Sequence, residues 1–118
     1  MRRRALIGLA AAIMALAGPI AASAAVPSTI SVAYNHQTEF FHGAVRSGNA
    51  ECKAGRTVRV FKQTASGPQL EGKSLSTSTG GWRIEVMHAH GHYFAVTPKQ
   101  KVMHTHCDRA KSKTVDVM

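Results

Sequence analysis

The sequence predicts an all-β protein: a seven-stranded antiparallel Greek-key sandwich behind an N-terminal signal peptide. Three observations lead there. Beyond position 24 apolar residues recur with a period of two, and helical periodicity is nearly absent. Turn-forming Gly, Pro, Asn and Ser residues punctuate that pattern at close intervals. The chain has 118 residues with 44% apolar content, the length of one domain and enough for a packed core.

Residues 1–24 read as the leader. Arg2, Arg3 and Arg4 form a cationic start, Ala5 to Leu16 is an unbroken apolar run, and Gly18-Pro19 ends any helix. Ala22-Ser23-Ala24 then has the small-x-small form that a signal peptidase accepts. The stretch is also just long enough to remain as an uncleaved anchor, but the Gly-Pro break and the cleavage site favour removal. No second long apolar run follows, so the membrane is involved only through the transient leader, and residues 25–118 form the exported sandwich domain.

Seven strands follow in order. Strand A, Ser28–Tyr34, carries Ile30, Val32 and Tyr34 on one side. Strand B, Phe40–Ser47, sets Phe41, Gly43 and Val45 against Phe40, His42, Ala44 and Arg46. Strand C, Arg56–Gln63, turns Val58 and Val60 away from Arg59 and Phe61. Strand D, Leu70–Thr77, has the weakest alternation, with Leu75 and Thr77 as the inward pair. Strand E, Trp82–Met87, alternates Trp82, Ile84 and Val86 with Arg83, Glu85 and Met87, after a Gly80-Gly81 hairpin signal. Strand F, Gly91–Thr97, opposes Tyr93 and Ala95 to Phe94 and Val96. Strand G, Lys113–Met118, alternates Val115 and Val117 with Asp116. Spacing this close over about 90 residues suits a sandwich.

The series Phe41-x-Gly43-x-Val45-x-Ser47, Cys52-x-x-Gly55-Arg56-x-Val58-x-Val60, Thr79-Gly80-Gly81-Trp82-x-Ile84 and Gly91-x-Tyr93-x-Ala95 resembles the secreted bacterial sandwiches of the transthyretin-like and carboxypeptidase-regulatory-like group. The resemblance covers roughly residues 40–97 and the last strand, and implies an Ig-like or prealbumin-like sandwich used as a binding or spacing module. It also implies that strands B, C, E and F share one sheet. One enzymatic branch of transthyretin-like proteins hydrolyses 5-hydroxyisourate and ends in Tyr-Arg-Gly-Ser. This chain ends Val115-Asp116-Val117-Met118, so that activity is not implied.

Alternating strand direction sorts the connections between two poles. Cys52 lies in the B–C connection and Cys107 in F–G, so the only two cysteines meet at one pole, and an oxidising compartment favours their disulfide. A closed loop of about 56 residues is worth roughly 4 kcal/mol in the chain-entropy treatment. His36 in A–B and His88, His90 and His92 at E–F share the opposite pole, with His42 near it. In an extended segment the last three imidazoles project from one face about 6.5–7 Å apart, and can hold Cu²⁺, Ni²⁺ or Zn²⁺ with His36 or His42 as a further ligand. Against that, no Asp or Glu is placed to orient the rings, and Gly91 makes the run flexible, so a solvated cluster with weak metal binding is the simpler reading.

Without the leader's arginines, 12 Lys and Arg face six acids, a net charge of +6. The excess is dilute and follows no helix or RNA-binding signature, which speaks against nucleic acid and for an anionic envelope component or a protein as partner. The acids form no acid–base pair, no Ser sits in Gly-x-Ser-x-Gly, and a bridged cysteine pair offers no thiol, so no enzyme is expected. If B, C and F share a sheet, outward Phe40, Phe61 and Phe94, with Val96 and Met87, form one apolar patch for a partner, unless a register slip reverses one strand. Trp82 and Tyr93 belong to the core, and the Tyr93 hydroxyl requires a backbone partner. The reading is an exported non-catalytic module without a cofactor. Its alternative is a secreted Cu- or Zn-binding protein using His36, His88, His90 and His92.

Overall fold

A computed structural model of the chain describes residues 24–118. The leader assigned to residues 1–24 therefore lies outside the described residues, Ala24 excepted. The described residues form an all-β, sandwich-like fold of antiparallel sheets with no α-helix. The strands are β1 (Ser28–Ile30), β2 (Ala33–Asn35), β3 (Phe40–Ser47), β4 (Thr57–Thr64), β5 (Gly67–Leu75), β6 (Gly81–Glu85), β7 (Gly91–Thr97), β8 (Gln100–Val102), β9 (Thr105–Cys107), β10 (Ala110–Lys111) and β11 (Val115–Val117), with one 3-10 turn at Ala50–Cys52.

The first sheet is built on β3, which pairs with β6 and with both β1 and β2. β1 and β2 hold one register against β3, from Ser28 opposite Ser47 to Asn35 opposite Phe40, so they are the two halves of strand A. The interruption at Ser31 has a visible cause. The Ser31 carbonyl dips over β3, and a Cβ built on Gly43 would lie 1.9 Å from its oxygen. The Ser31 hydroxyl accepts the Ala44 N–H at 3.1 Å, and the Ser31 N–H donates to the Ala44 carbonyl at 3.0 Å. Only glycine fits under that crossing. Gly43→Ala is expected to destabilise the domain by about 2–3 kcal/mol. Gly48→Ala, which meets nothing within 4 Å, is the control expected to be near neutral, and urea unfolding of both separates the two outcomes.

The second sheet runs β5-β4-β7, with β10 and β11 together covering the far edge of β7. β4 carries a register shift against β5, which leaves Glu71 as an extra residue between the partners of Val60 and Phe61. β10 and β11 differ in register by one residue, and the slip is closed by Ser112, whose buried hydroxyl accepts the Ala95 N–H at 2.8 Å. A small hairpin, β8–β9, forms a separate two-stranded sheet. The core between the sheets holds Ile30, Phe41, Val45, Val58, Val60, Trp82, Ile84, Tyr93, Ala95 and Val117.

Several expectations need correction. Strand D spans Gly67–Leu75 rather than Leu70–Thr77, and its inward positions are Gly72 and Ser74, opposite Val60 and Val58. Leu75 is 63% exposed and Thr77 is exposed, because Leu75 stands opposite Thr57 on the face turned away from buried Val58, and the extra residue at Glu71 reverses the alternation only for the residues before it. The Gly80-Gly81 pair closes no hairpin, since β5 and β6 lie in different sheets. Gly80 instead takes a positive φ of 93° and brings its backbone against Val45, whose N–H donates to the Gly80 carbonyl at 2.8 Å. Strands B, C, E and F do not share a sheet. B and E (β3, β6) stand in the first, while C and F (β4, β7) stand in the second.

Candidate functional site

The pole between strands is closed by covalent and polar ties. Cys52, at the end of the 3-10 turn, is bonded to Cys107, at the end of β9, with their Cα atoms 5.5 Å apart. The expected parity survives because β8 and β9 add two reversals rather than one. The segment preceding β1 also docks here. The Val26 N–H donates to the His106 carbonyl and the Asp108 N–H to the Val26 carbonyl, both at 2.8 Å.

Sequence reasoning missed Arg56, which has no exposed surface. Every N–H of its guanidinium has an acceptor. Nε donates to Gln100 Oε1, one terminal nitrogen to Ser28 Oγ and the Cys52 carbonyl, and the other to the Pro98 and Asp108 carbonyls. Burial lowers its pKa from the ordinary value, while the charge of Asp108 opposes the shift. An arginine ordinarily titrates so far above neutrality that the side chain stays charged at pH 7. The one sequence signal was its place, directly after the turn glycine Gly55 and before the inward run of β4.

The candidate site is the outer side of the second sheet. Register places Lys73 (β5), Arg59 (β4), Val96 (β7) and Lys111 (β10) in one row across the strands. The next row holds Leu70, Phe61 and Phe94. Phe61 and Phe94 stack with ring centroids 5.5 Å apart, and the Lys111 ammonium sits 4.5 Å from the Phe94 centroid. Arg59, Phe61, Pro68, Phe94, Val96, Pro98 and Arg109 line a shallow depression of about 270 Å³ on this face. Phe94 and Val96 point outward yet are only 5% and 7% exposed, because neighbouring side chains cover them.

The expected patch of Phe40, Phe61 and Phe94 is therefore divided. Phe61 and Phe94 share this face, whereas Phe40 lies on the other sheet beneath Arg83, whose guanidinium carbon is 4.6 Å from its centroid. What the outer face of the second sheet presents is cationic as much as apolar. Among the described residues the two side-chain ion contacts are His88 with Glu39 at 3.7 Å and His92 with Asp116 at 3.6 Å. No Lys or Arg there lies within 4.0 Å of an acidic side chain, so the basic charge is left uncompensated.

His36, His88, His90 and His92 do not gather into one metal site. His36 packs edge-on against Tyr34, with ring centroids 5.1 Å apart. His88 takes a left-handed φ of 58°, which breaks the extended run and turns its ring toward Glu39. His92 lies on β7 beside Asp116. Carboxylates thus do stand beside two of the rings, brought there from β11 and from the turn before β3, where sequence proximity gave no sign of them. Among the described residues, no three His, Cys, Asp or Glu side chains are grouped to hold a metal ion. His90 contributes through its backbone: the Tyr93 hydroxyl accepts its N–H at 2.9 Å and donates to its carbonyl at 3.2 Å, the partner that a buried tyrosine requires.

In comparisons with known proteins, no protein-family model, curated protein or solved structure matches the chain.

Proposed function

We propose that the chain is an exported, non-catalytic module: a seven-strand Greek-key sandwich released from the leader over residues 1–24, which attaches to an anionic polysaccharide of the cell envelope. The outer face of the second sheet is the attachment surface. One observation carries this reading, the cross-strand row of Lys73, Arg59 and Lys111 with, among the described residues, no carboxylate in contact with any of them. Neighbouring strands lie about 4.8 Å apart, so the row offers cations at roughly 5 and 10 Å intervals, a spacing that a linear polyanion lying across the strands can follow. The stacked phenyl pair offers nucleobases little purchase, since Phe94 is covered on its outer side by Lys111 and Phe61.

Binding of the secreted chain to immobilised polygalacturonate, followed against ionic strength, tests the proposal. Affinity is expected to fall steadily as salt rises from about 0.05 to 0.5 M. Arg59→Glu/Lys73→Glu/Lys111→Glu is expected to weaken binding at least tenfold. Salt-independent retention, or a triple variant that binds as well as the unaltered chain, would exclude this face.

A further inference from the structure

One short sequence occurs twice. Val86-Met87-His88-Ala89-His90 and Val102-Met103-His104-Thr105-His106 both read Val-Met-His-x-His. The first copy forms the turn between β6 and β7, and the second forms the tip and return strand of the β8–β9 hairpin. In both copies the variable residue is anchored while the other three donor-bearing residues face solvent. Ala89 is 8% exposed and belongs to the core, whereas Met87 is 61% exposed and His88 and His90 are exposed. The Thr105 hydroxyl donates to Glu51, whereas Met103 is 72% exposed and His104 and His106 are exposed.

Both turns are also held in shape by the backbone. In the first, the Val86 N–H donates to the Glu39 carbonyl at 3.0 Å, the His88 N–H to Glu39 Oε2 at 2.9 Å, and the His90 N–H to the Tyr93 hydroxyl at 2.9 Å. In the second, Val102 pairs with Thr105 and Lys101 with His106. Among the described residues, three that are not glycine have a positive φ, and one falls in each turn at 58°, at His88 in the first copy and one motif position earlier, at Met103, in the second. Left-handed backbone is tolerated by histidine but unfavourable for methionine, and the exposed Met103 gains no packing in return. Burial accounts for neither methionine, since both are exposed beside exposed histidines.

Their chemistry does. A thioether is a soft ligand and imidazole a borderline one, a set that favours Cu(I) over Zn²⁺, which is usually held by four His, thiolate or carboxylate ligands in a tetrahedron. In the first copy Glu39 lies beside Nδ1 of His88, which orients the ring and leaves Nε2 toward solvent. We propose that each Met-His-x-His turn holds one Cu(I) ion through its thioether and two imidazoles, giving two independent sites per chain. His36 and His92 are not part of either set.

The test is an anaerobic Cu(I) titration of the oxidised full domain in ascorbate, against the chromogenic chelator bicinchoninate. Two equivalents are expected, held at least tenfold more tightly than Zn²⁺. Met87→Leu and Met103→Leu should each weaken one of the two sites at least tenfold and leave Zn²⁺ binding unchanged. Both methionines are exposed, so these variants are expected to fold. X-ray absorption at the copper edge of the unaltered protein gives a reading that depends on no variant, with a sulfur neighbour expected. Fewer than two equivalents, a Cu(I) affinity indifferent to both leucine substitutions, or a copper shell of nitrogen alone would overturn the proposal. Polygalacturonate binding does not use these residues, so the two proposals fail independently.

Discussion

Replacing Cys52 and Cys107 together by alanine is expected to lower the unfolding free energy by about 4 kcal/mol, from the entropy that the open loop returns to the unfolded chain. For a domain of this size that corresponds to a fall in Tm of roughly 16–32 °C. Both cysteines are fully buried, and the bridge joins the 3-10 turn after β3 to the end of the β8–β9 hairpin. The hairpin lacks a hydrophobic face of its own, since Lys101, Met103, His104 and His106 are exposed. Its position rests on this bridge, on Val26 and on Thr105. The variant is therefore expected to lose amide protection first over residues 100–107. Calorimetry with and without the bridge measures the total, and hydrogen exchange locates it.

The second large effect is at Arg56. Arg56→Met removes a guanidinium whose five N–H groups serve five acceptors, among them the carbonyls of Cys52, Pro98 and Asp108. The Cys52 carbonyl is left without its donor in a buried site and the Pro98 and Asp108 carbonyls in partly buried ones, and the expected loss is about 3–5 kcal/mol. Arg56→Lys keeps the charge but offers three donors from one nitrogen instead of a fork, so it is expected to recover less than half of that. Denaturant unfolding of the two variants separates geometry from charge. Near neutral pH the stability should not vary through Arg56. Burial lowers its folded pKa, so the unfolded chain binds the additional proton only in strongly alkaline solution, and stability linked to this group would rise with pH only there.

How much could be read from the sequence varies with the physics of each segment. β3 and β7 coincide with the spans read from alternation, Phe40–Ser47 and Gly91–Thr97, because their alternate residues Phe41 and Val45, and Tyr93 and Ala95, are buried in the core. The bounds and inward face of β5 cannot be read from alternation, because its period is broken at Glu71 and its outer residues Leu70 and Leu75 are apolar yet exposed, so hydrophobicity points to the wrong face. β8 and β9 were not foreseen because they are held by pairing and by the disulfide rather than by burial. The break in strand A has its only sequence trace in Gly43. Sheet membership could not be read at all, since it depends on which strand edges meet. That is why alternation alone groups Phe40 with Phe61 and Phe94, although it lies on the other sheet. The row of Lys73, Arg59 and Lys111 became visible only with the register, and the carboxylates beside His88 and His92 come from distant segments.

The claim that one face, rather than net charge, attaches the module is tested most directly by two variants of equal charge. Arg59→Gln/Lys111→Gln removes two cations from the outer side of the second sheet, and Arg46→Gln/Arg83→Gln removes two from the first. Each pair includes one cation seated on a phenyl ring, so packing losses are matched. With polygalacturonate at about 0.1 M salt, the first variant is expected to bind at least tenfold more weakly and the second within about twofold of the unaltered chain. Equal losses in the two variants would mean that charge acts without regard to face, and would contradict the assignment.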